Sequence, residues 1–243
     1  MTINHALPFV TTLVSLIFSA AVLARYFQRG GSHLLLWGIG LLLYTAGTFS
    51  EAFLALVWSP FVLRLWYLSG AMLTAAWLGQ GTIHLLVRRR GVAISLTAIL
   101  ALTSLVAAIG VFAAPLTGVA YRLAIPVSAQ YKEILTRPGL IVALTVVLNI
   151  YGSLGLIGGA IWSAWLFWRK RVLPNRVIGN VLIAAGALMP ASAGSLIKAG
   201  LGDWLYLSEL LGAIIMFIGF LAATAPQPQE APEEKAVPAT AGD

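Results

Sequence analysis

Four ionisable residues, Glu51, His84, Lys198 and Glu209, stand inside long apolar runs of this 243-residue chain. At the centre of a bilayer such a charge costs about 2.5–3.5 kcal/mol unless it is paired or reached by water, so each marks a candidate site. Glu51 closes a polar stripe with Tyr44 and Thr48, at spacings of four and three that share one helix face. Lys198 and Glu209 flank a turn near Asp203, and a helical hairpin would bring them level. A lysine converging with two carboxylates suits the coordination of a ligand or a proton. The plainer reading has Lys198 snorkelling to the surface and pairing with Glu209 or Asp203. Arg64 could pair with Glu51 on either reading. The candidate ligand-binding set is therefore Glu51, Arg64, Lys198, Glu209, Tyr44 and Thr48. Gln80 and His84, four apart, form a separate inner polar pair whose simplest role is hydrogen bonding within the bundle. Asn149 and Asn180 are candidates for interhelical hydrogen bonds, worth about 1 kcal/mol each.

Several chemistries find no support. Cysteine is absent, which removes thiolate metal sites, disulfides and cysteine nucleophiles. His5 and His33 fall outside the apolar runs and on opposite sides, so paired-histidine haem ligation fails, and no convergent zinc or iron set can be assembled. There is no phosphate-binding glycine loop, nucleophile elbow or His-Glu-x-x-His motif. Lys198 stands near the end of the sixth apolar run and the seventh has no lysine, which argues against retinal attachment. No catalytic residue, metal or cofactor is assigned, and enzymatic activity is unsupported.

The elements that must position these residues follow from composition. With 60% hydrophobic and 9% charged residues and a mean hydropathy of +0.92, the chain reads as a polytopic membrane protein. Against the roughly 20 apolar residues needed to cross a bilayer, seven spans emerge, at about 7–23, 34–57, 65–87, 92–114, 140–168, 177–199 and 204–223. The predicted fold class is all-α, a seven-helix transmembrane bundle over residues 1–223. Residues 224–243, rich in Pro, Ala and Glu, are expected to form a disordered cytoplasmic tail. The fourth span has no ionisable residue and is read as lipid-facing or packing. The connection 115–139 carries Tyr121, Arg122, Tyr131, Lys132, Glu133 and Arg137, a pattern suited to a short interfacial helix. A Gly-x-x-x-Gly pair at Gly155 and Gly159 predicts close helix packing within the bundle, and Pro190 predicts a kink in the sixth span.

Positive residues orient the bundle. Nine (Arg25, Arg29, Arg88, Arg89, Arg90, Arg169, Lys170, Arg171 and Arg176) fall on one side, against Arg64, Arg122, Lys132 and Arg137 on the other. This bias places the N-terminus outside and the C-terminus in the cytoplasm. The net charge of +7 belongs to these loops, and nucleic acid is not an expected partner; the bilayer is. An internal echo is also present: Arg29 and Glu51 are spaced like Arg176 and Lys198, and Tyr67-Leu68-Ser69 recurs as Tyr206-Leu207-Ser208. It raises a three-plus-one-plus-three parallel repeat as one arrangement of the spans. In the third span, Tyr67, Gly70, Thr74, Trp77, Gly81 and His84 form a small and polar stripe opposite Leu68, Met72, Ala75, Gly79, Ile83 and Leu86. That helix is expected to pack on its polar side.

The basic first loop from Arg25 to His33, the stretch from Trp37 to Glu51, and Leu65-Trp66-Tyr67-Leu68-Ser69-Gly70 entering the third span resemble the seven-helix membrane sensor regions of bacterial histidine kinases. The resemblance covers roughly the first 90 residues. It implies a bacterial cytoplasmic (inner) membrane and, with no kinase sequence following the spans, a sensor that signals through a membrane or cytoplasmic partner. It assigns no functional residue. The leading expectation is thus a sensor- or receptor-like protein with an outward-facing polar pocket between the second, third, sixth and seventh spans. A small-solute or proton-coupled carrier is the alternative, with a polar path continuing to Gln80 and His84. A scaffold subunit of a membrane complex is the third reading.

Overall fold

The computed structural model describes residues 3–87, 89–123, 125–171, 174–192 and 204–225, with side chains from residue 6 onward except that of Arg90. These residues form α1 (Ile3–Arg29), α2 (Ser32–Leu54), α3 (Pro60–Leu86), α4 (Arg90–Ala113), α5 (Val127–Ile134), α6 (Gly139–Arg169), α7 (Pro174–Ala191) and α8 (Leu205–Thr224). Six of them are long and apolar enough to cross a membrane: α1, α2, α3, α4, α6 and α8. The molecule is an all-helical, multi-pass membrane protein. The sixth expected span corresponds to α7, and its remainder, with Lys198 and Asp203, lies outside the described residues.

Local chemistry sets the helix ends. Gly30 and Gly31 turn the chain between α1 and α2 with φ of 68° and 103°, a region that penalises a Cβ. Ser59 caps α3, its side chain accepting from the Val62 N–H at 3.4 Å, and Pro60 occupies the first turn where its missing N–H is not needed.

Helices α1, α2, α3, α6, α7 and α8 form a closed ring in which each packs on the next and α8 returns to α1. Helix α4 lies outside the ring against α3, with only 17% of its most apolar window buried. Two core clusters fill the bundle. One, at the end holding Glu51, joins Leu54, Leu63, Trp66 and Tyr67 to Val111, Val127, Ile134 and Ile141. The other joins Phe18, Val22, Leu41, Leu78, Leu156, Met216 and Phe220. Exposed Phe9, Leu13 and Ile17 on α1, Ile99, Leu102 and Ile109 on α4, and Val147, Ile150 and Leu154 on α6 give the outer surface its apolar character.

Close approach rests on glycine. A Cβ on Gly152 of α6 would stand 2.2 Å from the Ala75 carbonyl oxygen of α3, and one on Gly186 of α7 would stand 2.8 Å from the Gly212 carbonyl oxygen of α8. Backbones that close gain dispersion contact without the cost of ordering side chains.

Three expectations change. Helix α3 packs on both faces: Met72 and Gly79, assigned to the side opposite the polar stripe, are buried, because the ring and α4 enclose it. The short helix expected in the 115–139 connection is α5, and it turns its apolar residues Val127 and Ile134 inward onto the Trp66–Tyr67 cluster, leaving Lys132 and Glu133 exposed. The segment 115–138 is thereby a cap on the bundle, closed by a Leu116–Leu135 bridge and by Gln130, which bonds Arg122 N, Arg122 O and Ile125 O. Asn180 donates to Arg176 O of its own helix and makes no interhelical bond among the described residues.

Candidate functional site

A cavity of about 560 Å³ lies inside the ring near its Glu51 end, where the two core clusters leave room. Such a volume is in the usual range for small-molecule sites. Helix α2 contributes Tyr44, Thr48 and Glu51, α8 contributes Glu209, α3 contributes Trp66, and α6 contributes Asn149. Below them the wall becomes apolar through Leu78, Leu156, Ala187 and Met216.

Glu51 is buried, at 5% exposure, and its Oε1 accepts from the Trp66 indole N–H at 2.9 Å. Its Oε2 meets no hydrogen-bond donor among the described residues. The Glu209 carboxyl group lies within hydrogen-bond reach of Glu51, and the Tyr44 hydroxyl donates to the Glu209 backbone carbonyl at 3.0 Å. Thr48 holds the neighbouring wall, taking a bond from Thr12 of α1 at 3.2 Å. On the far side, Asn149 donates to the Ala71 carbonyl of α3 at 2.8 Å.

Both α3 and α6 are wound in the wider i→i+5 pattern where they border the cavity, over Tyr67–Leu73 and Leu154–Gly158. Such bulges re-aim side chains and are frequent at functional sites. The cap covers the end of the cavity. Tyr131 packs edge-on to Trp66 with ring centres 5.1 Å apart, Arg137 lies 5.0 Å over the Tyr131 ring, and Trp58 stacks on Tyr121 at 4.6 Å. Burial, followed by the Glu51 charge, pushes the Tyr121 hydroxyl up to about 12. Burial also raises Tyr131, and the Arg137 charge opposes it.

The structure therefore brings Tyr44, Thr48, Glu51 and Glu209 together at one cavity. Lys198 lies outside the described residues. Arg64 does not line the cavity: its guanidinium donates to Ala114 O at 2.9 Å and Pro60 O at 3.3 Å, tying α3 to the end of α4, while Glu51 takes its donor from Trp66. Gln80 and His84 also lie elsewhere. Gln80 donates to Ala93 O and Thr97 Oγ1 of α4 and accepts from Tyr151, and His84 bonds Thr97 Oγ1 at 2.7 Å and Ser32 Oγ at 2.9 Å. The fourth span, read from sequence as lipid-facing or packing, also supplies Thr97 and Ser104, which bond Gln80, His84 and Trp77.

Trp66 and Tyr131 escaped the sequence reading. Trp66 had a signal: counting outward from the Trp58–Pro60 turn sets it level with Glu51. Tyr131 had none, because it belongs to the cap. Among the described residues no three His, Asp or Glu side chains converge to hold a metal. No family model matches the chain, and no curated protein matches it.

Proposed function

We propose that this protein is a membrane receptor for a small ligand, which binds in the Glu51 cavity and signals through a partner. The observation that carries the reading is the cavity itself, lined by Glu51, one of whose buried carboxylate oxygens has no donor among the described residues. Leaving such a group unsatisfied costs about 1–3 kcal/mol or more, which function or an occupant must justify. The resemblance of the first 90 residues to kinase sensor regions agrees with this role, and the positive-residue bias would open the cavity outward. The carrier expected a polar path to Gln80 and His84; both are engaged instead with α4, outside the cavity, which favours the receptor.

One observation favours the carrier. Gly40 and Gly47 in α2, and Gly179 and Gly186 in α7, are each seven apart, and each pair meets the following helix at close range. Two glycine-packed hairpins separated by a peripheral α4 are what a three-plus-one-plus-three repeat would produce. Thermal unfolding of the purified protein against a metabolite panel tests the receptor. A ligand at 100 times its Kd should stabilise by about 2.7 kcal/mol, and E51Q should abolish the shift. Uptake of that ligand into sealed proteoliposomes would move the assignment to a carrier.

A further inference from the structure

The ligand's chemical class can be read from what the cavity lacks. Glu51 and Glu209 place two carboxyl groups side by side, with Glu51 Oε2 buried and without a donor among the described residues. Among the described lining residues the one cation is Lys132, which is exposed at the rim with its Nζ 5.9 Å from the centre of the Tyr131 ring. Arg64 is engaged at Ala114. Two carboxyl groups this close in apolar surroundings cannot both stay charged on their own; they share a proton, or a positive group stands between them. The Trp66 indole forms the adjacent wall, and an indole face attracts an ammonium by its quadrupole. The rim already gathers Arg137 and Lys132 over Tyr131. The deeper wall, Leu156 and Ile157, suits a short hydrocarbon body.

We propose that the Glu51–Glu209 pair binds a small organic ammonium ion, its charged head between the carboxyl groups and its alkyl body against Trp66 and Leu156. This rests on the receptor reading above. The ammonium would take the place of the proton between the two carboxyl groups and donate to Glu51 Oε2, which accepts from no amide, hydroxyl or indole among the described residues.

The test uses the full chain in detergent micelles, with n-butylammonium and tetramethylammonium chloride as probes and sodium butyrate, butanol and sodium chloride as matched controls. We expect at least one ammonium probe to raise the Tm in a saturable way, and the controls to leave it unchanged. E51Q and E209Q should each weaken that probe at least tenfold. A saturable change in tryptophan fluorescence should accompany binding and be lost in W66F, which serves if a glutamine variant does not fold. Butyrate acting as well as butylammonium, or an ammonium effect that survives in E51Q/E209Q, overturns the proposal. So does a wild type that ignores ammonium while K198M acquires binding, which would make the occupant the chain's own lysine. An uncharged or anionic metabolite that stabilises wild type but not E51Q keeps the receptor and removes the ammonium. A panel in which nothing stabilises wild type removes both.

Discussion

Glu51 and Trp66 depend on each other. The indole N–H is the donor that one carboxylate oxygen has, and both residues are buried. W66F should lower stability by about 1–3 kcal/mol, because a buried acceptor loses its partner as well as some packing. The double variant W66F/E51L should recover part of that loss, since replacing both partners by apolar groups removes the unsatisfied atom. Thermal unfolding of the two variants in one detergent decides it; a double variant no more stable than W66F would show that the bond does not matter. Arg64 makes the opposite case. Its two terminal guanidinium nitrogens are held by Ala114 O and Pro60 O, so R64A should weaken the α3–α4 contact without changing the affinity of any ligand for the cavity.

Helices in this bundle meet through their smallest residues. Gly152 touches the α3 backbone, with the Ala76 nitrogen 2.4 Å from where a Cβ would stand, whereas Gly158 on the same helix has nothing within 4 Å. G152V should therefore prevent assembly of the ring and show as loss of the monodisperse peak on size exclusion. G158A should stabilise by about 0.5–1 kcal/mol through the unfolded chain's lost freedom. The Gly-x-x-x-Gly signature at 155 and 159 pointed to this helix, yet the tightest contact falls three residues earlier, at Gly152. The cap is held differently, by three hydrogen bonds from one side chain, Gln130. Q130A should speed amide exchange in residues 116–135 by at least about tenfold while the spanning helices keep their protection, as local opening predicts.

The ring as a whole has two chemically different ends. The end with Glu51 carries the cap, and the end with Ser32 and His84 carries most of the arginines. If positive residues set the orientation, the capped end is outside. The chain contains no cysteine, so single-cysteine labelling reports this directly. V119C in the cap should react with a membrane-impermeant maleimide on intact cells, and K170C should react only after lysis. The reverse pattern would invert the receptor and turn its cavity toward the cytoplasm.

Composition and hydropathy by themselves determined that this is a helical membrane protein. The signal is one-dimensional and strong, because a backbone in lipid must satisfy its own hydrogen bonds over a fixed thickness. Spacing put Tyr44, Thr48 and Glu51 on one helix face, and the pocket expected between the second, third, sixth and seventh spans joined them to Glu209. What a single helix periodicity could not contain was ring closure: α8 returning to α1, α6 entering the cavity wall, and α4 left outside. These depend on which small residues let backbones approach, a property of pairs of helices. The same holds for the inward-facing cap and for the partners of Glu51 and Arg64. Only the tertiary structure decided that the glutamate would find an indole, and the arginine a carbonyl, in place of each other.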